Sequence, residues 1–429
     1  MRKIFTVIFA SFITFHGFSQ AGIKENEVAR IIKTLSADDM MGRRTFTPGI
    51  EKASLFLQNE FKRIGLKPLT GLTSFEQKFN MYSLKPQQAA VTLNNTTIEN
   101  DKYFFVTAKE SLSWTDPSKV SVFYVNENDN LRKAYGEIKK KNLDAIVLVN
   151  PKHQKMFANY KRYLGSGSMS ESVGKGESQL FVLADSSQLS SIKVALKNSI
   201  ETLPLANVAG MIPGKRANEY LVFSGHYDHL GYQKAVEGDS IANGADDDAS
   251  GTTAVVTLAD YYKKLGKPER TLIFVCFTAE EIGGYGSQYF SKQLNPDEIV
   301  AMFNIEMIGK PSKFGANSAF ITGFERSDFG TFLQEAVKGT NYSFHPDPYT
   351  EQNLFYRSDN ATLARLGVPA HSISSDQIDI DKLYHSVNDE FESLDMPHMT
   401  NMIKAIAVGS KPMVDGKVTP KRVNKAEVD

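Results

Sequence analysis

Cysteine is nearly absent from the chain: its 429 residues include one, Cys276, so no intrachain disulfide can form. That residue lies inside the apolar run TLIFVCFT, where a thiol serves as a small buried hydrophobe. Net charge is absent as well. Lysine plus arginine and aspartate plus glutamate each total 49, with no long basic run among them. Such a balance lacks the cationic surface by which nucleic acid or an anionic membrane is held, and it excludes both as main partners.

The opening stretch MRKIFTVIFASFITFHGFSQA has two basic residues, a short apolar run broken by Ser11, Thr14 and His16, and small residues near Ser19 and Ala21. It reads as a secretory signal peptide, and residues 1–20 are excluded from the fold. The run has no stop-transfer flank, and no cysteine near the cleavage point offers a lipid acceptor. The expectation is a secreted or periplasmic protein without stable membrane insertion after cleavage. The remaining 409 or so residues are too many for one ordinary core, which points to a large domain plus a smaller one.

Residues 25–36 have helical apolar spacing. Pro48 opens a second helix with Ala53, Phe56, Leu57, Phe61 and Ile64 on one face, and Gly65 closes it. Between 85 and 200 the pattern changes to short runs such as AAVTL, KVSVFYV, DAIVLV and SQLFVLA, which read as the strands of an inserted β-rich domain. The Gly/Ser-rich residues 164–178 read as a mobile loop within it. From Asn207 on, strand-like runs at 220–224, 271–277, 300–305, 318–322 and 369–374 alternate with amphipathic stretches. One of these, 249–265, places Val255, Leu258, Ala259, Tyr262 and Leu265 at helical spacing. This is an α/β pattern with a mostly parallel central sheet, whose ligands bind beyond the carboxyl ends of the strands. The expected domains are 21–84 with 201–412 for the large one, 85–200 for the insert and 413–429 for a C-terminal tail.

Acids and histidines gather at those strand ends. His226 and Asp228 follow LVFSG, and the spacing lets the aspartate orient the histidine ring as a metal ligand requires. NGADDDASG, residues 243–251, sets Asp246, Asp247 and Asp248 just before a helix. An acidic N-cap needs one aspartate; three in a row repel one another unless a cation sits among them. TLIFVCFTA ends in Glu280-Glu281, either a salt-bridged helix start or a pair that divides metal binding from proton transfer. VAMFNIE brings out Glu306, an acid costly to bury alone at the end of so apolar a strand, and Tyr384-His385 follows later. Together these donors suit zinc held by nitrogen and oxygen.

The segments GHYDHLG, GADDDASG, FTAEEIGGYGS, NIEMIG and YHSVND resemble the motif series of the zinc aminopeptidase family, which includes secreted bacterial leucyl aminopeptidases, aminopeptidase Y and glutamate carboxypeptidase. The stretch LSADDMMGRRTFTPGIEKASLFLQNEFKRIGLKPL resembles the family's N-terminal segment, so the likeness covers roughly residues 25–75 and 205–410. It implies a three-layer α/β sandwich of the zinc exopeptidase type, with a protease-associated-type insert that roofs the cleft or restricts substrates. It also implies two zinc ions, one at His226 and one at Glu281 and His385, bridged by Asp247. The remaining ligand position, an aspartate in most relatives, is Glu306 here, and the extra methylene could shift the metal or weaken its binding. By the same resemblance Glu280 is the general base, Asp228 orients His226, Tyr384 hydrogen-bonds the oxyanion, and the peptide bond after Asp247 is cis.

The implied activity is hydrolysis of a peptide substrate. Charge favours the amino end: Asp228, Asp246, Asp248, Glu280 and Glu306 would suit a free α-amine, whereas Arg357 alone is too little for a carboxylate pocket. The expected function is therefore a secreted aminopeptidase that removes single, apolar N-terminal residues. A glutaminyl-peptide cyclase, with one zinc, shares the fold but lacks the first metal histidine and the intact GADDDASG pattern. A receptor-like binding protein, as the transferrin receptor is, would have lost ligands, and only Glu306 points that way.

Overall fold

A computed structural model describes residues 22–185 and 188–428, so the expected signal peptide lies outside the described residues. The described residues form two compact units, one within 22–77 and 206–428 and the other within 78–205. None of the described helices is long and apolar enough to cross a membrane.

In the larger unit the strands Arg216–His226, Arg270–Phe277, Ile299–Ile305 and Ala370–Ser374 run parallel, with Arg216–His226 between Arg270–Phe277 and Ile299–Ile305. Ser318–Ile321 pairs antiparallel beyond Ala370–Ser374, Ser343–Pro346 adds to it, and the end of Ile192–Ile212 pairs antiparallel on the opposite side. The sheet is thus mixed and mostly parallel. Its strands are buried on both faces, and alternate residues serve different cores. Phe223, Phe274 and Phe303 pack with the helices Glu25–Leu35, Pro48–Ile64, Gly251–Leu265, Phe329–Ala336 and Met396–Val414. Val222, Ile273, Val275 and Met302 turn the other way, toward Phe290, Leu363 and Ala364 of the helices Tyr285–Ser291 and Asn360–Ala364. This is the expected three-layer sandwich. Gly65, at φ 79°, ends the Pro48–Ile64 helix as a left-handed cap.

The residues after Val414 stay bound to this unit. The buried Arg270 guanidinium donates to the carbonyls of Met413 and Val418 and to Thr419 Oγ1, and Val423 is buried.

The smaller unit contains a four-stranded sheet in the order Tyr103–Val106, Gln179–Leu183, Ala145–Val149, Ser121–Val125. Two helices, Leu131–Lys141 and Gln154–Leu164, accompany it, so the unit is not built from strands alone. Leu131, Ala134, Tyr135 and Ile138 of the first and Phe157, Tyr160 and Leu164 of the second pack into one core with the sheet, at a helical spacing that the sequence carries between its strand-like runs. Within the Gly/Ser-rich stretch, Ser168–Ser170 forms a short strand paired with Tyr82–Leu84.

Candidate metal centre

The carboxyl ends of three parallel strands deliver the site. Arg216–His226 ends on His226 itself, Arg270–Phe277 runs on to Glu280 and Glu281, and Ile299–Ile305 is followed by Glu306. The acidic turn before Gly251–Leu265 supplies Asp247, whose peptide bond to Asp248 is cis. His226 and Asp247 are almost wholly buried, while Glu281 and Glu306 are partly exposed.

Asp247 faces two ways. Its Oδ1 lies 3.1 Å from His226 Nε2 and its Oδ2 lies 3.1 Å from His385 Nε2. Glu306 Oε1 closes the first group at 3.2 Å from His226 Nε2, and Glu281 Oε2 closes the second at 3.2 Å from His385 Nε2. The result is two N/O donor sets sharing one carboxylate, a chemistry that suits a pair of zinc ions.

Electrostatics point the same way. Burial by itself would lower the pKa of His385, but the Asp247 and Glu281 carboxylates outweigh it and raise it to about 10. Burial also opposes charge on His226, yet Glu306 and Asp247 hold its pKa well above the usual imidazole range. The cluster of acids calls for positive charge, which a divalent ion would supply. Glu280 is pushed well above the ordinary carboxylate range, first by burial and then by the charges of Asp359, Glu306 and Glu281, with His226 opposing.

The orienting contact to His226 differs from the one expected. Nδ1 of His226 lies 3.1 Å from the backbone oxygen of Asp228 and 3.8 Å from its carboxylate. The carboxylate instead accepts the backbone N–H groups of Glu280 and Glu281 at 3.1 and 3.3 Å. Asp228 thus joins two ligand-bearing strand ends. The expectation that Asp246 and Asp248 offer free acid to a substrate is corrected. Asp248 accepts the backbone N–H groups of His226, Gly251 and Met307, and Asp246 accepts that of Gly309 and faces Lys310. Both carboxylates are consumed in holding the fold.

His229 and Arg43 belong to the site but were not singled out from the sequence. His229 is buried with Nδ1 2.8 Å from Glu281 Oε1 and 3.9 Å from Asp247 Oδ2. Its spacing from His226 in GHYDHLG was the available signal. A Cβ on Gly244, which sits at φ 57°, would stand 2.5 Å from this ring, so glycine is required there. Arg43, fully buried, donates to the carbonyls of Leu35, Tyr227, Asn243 and Gly244, which fastens the His226 and Asp247 loops together.

Tyr384 stacks on His385 with ring centroids 3.9 Å apart, and burial raises its phenol pKa. Beside it, a partly open pocket extends from Glu306 between Met307, Phe320, Leu354 and Ile378. Arg357 is exposed at this cavity and donates to Tyr384 Oη over 3.5 Å and to Gln352 over 3.4 Å.

Residues 207–409 match the model of peptidase family M28. The chain is 30% identical over 213 residues to leucine aminopeptidase 1 of Ajellomyces capsulatus, an alignment covering 46% of this chain. The chain spans about half the length of that relative, 53%. Its fold is similar to that of an aminopeptidase from Aneurinibacillus sp. strain AM-1 (19% identity, TM-score 0.53, covering 95% of this chain and 96% of that one). It is likewise similar to BSAP, a zinc aminopeptidase from Bacillus subtilis (14% identity, TM-score 0.55, covering 96% and 100%). Over residues 207–409, the stretch that carries these histidines and carboxylates, the chain is similar to peptidase family M28.

Proposed function

We propose that this chain is a metallopeptidase working with two zinc ions, and that it removes residues from the N-termini of peptides. The observation that carries the reading is the two-sided presentation of Asp247, one oxygen toward His226 and the other toward His385. His226, Asp247 and Glu306 would hold one ion, and Asp247, Glu281 and His385 the other. Bound zinc acidifies water and polarises a carbonyl.

The rest of the chemistry belongs to the chain. Glu280, whose buried carboxyl group is pushed toward proton binding, takes a proton from the attacking water and returns it to the departing amine nitrogen. Tyr384 keeps its phenol proton, and the stacked His385 ring fixes its position, so its O–H can donate to the oxyanion. Asp228 keeps Glu280 and Glu281 in register through their backbone N–H groups.

The amino end is favoured because a single exposed arginine makes no carboxylate pocket. The apolar walls of the cavity suit an apolar first side chain. The names of the relatives, leucine aminopeptidase and zinc aminopeptidase, support the same reading.

The test offers the zinc-loaded protein a leucyl anilide, its N-acetylated form and an N-blocked peptide with a free C-terminus. The proposal expects cleavage of the unblocked leucyl compound alone. Release of C-terminal residues from the blocked peptide would overturn it.

A further inference from the structure

Four residues after Glu306 stands Lys310, a largely buried lysine surrounded by carboxylates from three other segments. Its ammonium lies 2.7 Å from Asp381 Oδ2, 3.4 Å from Asp246 Oδ2 and 3.7 Å from Asp389 Oδ1. Each of these acids holds a piece of backbone that carries, or leads directly to, a residue of the metal centre. Asp389 accepts the N–H groups of Asp246 and Asp247 at 3.0 and 3.1 Å. Asp246 accepts the N–H of Gly309 at 2.7 Å, in the segment that follows Glu306. Asp381 accepts the N–H of Leu383 at 2.8 Å, and the Leu383 carbonyl accepts the N–H and hydroxyl of Ser386, so this turn encloses Tyr384 and His385.

His385 needs such support. It comes from a loop, not from a strand end, its side chain is 37% exposed, and its φ is 56°, in the left-handed region. Repulsion among Asp246, Asp376, Asp381 and Asp389 would push that loop away from the Asp247 turn unless a cation lay between them.

We infer that Lys310 is a positioning residue for the metal centre: its ammonium ties the His385 loop to the Asp247 turn and so fixes the ligands of the ion shared by Asp247, Glu281 and His385. The inference rests on the dinuclear reading proposed above. Lys310 touches neither substrate nor metal. It acts through Asp381, Asp246 and Asp389.

The experiment is a zinc titration of the metal-stripped protein against a competing chelator. Lys310→Met is expected to weaken one of two zinc ions by roughly 10- to 100-fold, the range for loss of an outer support. Lys310→Arg, which keeps the charge, should recover most of that loss. In a His385→Ala background, Lys310→Met should cause no further weakening at that site. Equal weakening in both backgrounds, or a lower thermal midpoint with both zinc affinities unchanged, would overturn the inference.

Should Lys310→Met fail to fold, Asp381→Asn severs only the link to the His385 loop. It must weaken the same ion, and unaltered binding would be fatal to the idea. A wild-type chain that takes up one ion instead of two contradicts the dinuclear reading. The role of Lys310 is then decided by whether that single ion is weakened in the variants.

Discussion

Ser358 Oγ stands 2.5 Å from Glu306 Oε2, and the same hydroxyl accepts a hydrogen bond from Asn304 Nδ2 at 2.7 Å. Asn304 is itself fixed by Ser224 and Ser372, and Ser372 by Asn360. The longer acid at position 306 is therefore built into a buried polar network, with one oxygen on the serine and the other toward His226. Glu306→Asp should withdraw the carboxylate from both partners and weaken the nearby zinc. Ser358→Ala should do so by roughly tenfold, since a hydrogen bond to a charged group contributes about 1.5–3 kcal/mol. Chelator titration would read either change as easier loss of one ion of two. Unchanged or tighter binding in Glu306→Asp would show that the site is not set for glutamate.

Glu280 and Glu281 are neighbours with separate tasks. Only Glu281 contacts His385 and His229, while burial pushes the Glu280 carboxyl group above the ordinary carboxylate range. Glu280→Gln should cut turnover by at least about 10²- to 10⁴-fold and leave zinc content near that of wild type. Glu281→Gln should lose metal. Zinc stoichiometry beside turnover decides between them, and the opposite pattern would reverse the roles.

His229 supports Glu281 from behind. His229→Leu keeps much of the ring's bulk and removes the 2.8 Å contact, so one zinc should bind roughly 10- to 100-fold more weakly. Complete loss of that ion, measured by metal analysis after dialysis, would make His229 a ligand in its own right.

His371 gives a pH dependence away from the metals. It is fully buried between Thr322 O and Ser327 Oγ, and burial lowers its pKa to about 4. Since an unfolded histidine titrates near 6.5, the unfolded chain binds a proton in the window from about 6.5 down to 4 that the folded chain refuses. This residue's contribution to stability is therefore complete above about 6.5 and is lost on acidification through that window, on the order of 3 kcal/mol in all. Denaturant midpoints of wild type and His371→Asn at pH 7 and pH 4.5 would measure it. The variant should lose less stability over that interval, and equal losses would refute the assignment.

Much of the fold could be read in the sequence because its strands are buried on both faces. The runs at 220–224, 271–277 and 300–305 are nearly continuous apolar segments, and an acid or histidine at the end of each stands out against them. The short Ser343–Pro346 strand has no such signature, whereas the first helix of the smaller unit does carry a helical period, in Leu131, Ala134, Tyr135 and Ile138, that the strand-like runs on either side overshadow. At the site, residues that present side chains from strand ends were legible, while those defined by distant contacts were not. Arg43 donates to carbonyls some 200 residues away, and Lys310 meets Asp389 only once the chain has folded. Asp228 was legible as a partner of His226, but which of its oxygens does the work depends on backbone geometry that a motif does not contain.

The central claim is a dinuclear centre bridged by Asp247, and zinc per chain in wild type and Asp247→Asn tests it most directly. Two ions per chain are expected in the wild type and fewer than one in the variant, because the residue facing both His226 and His385 is weakened on both sides. One ion per chain in the wild type, retained in Asp247→Asn, would contradict it.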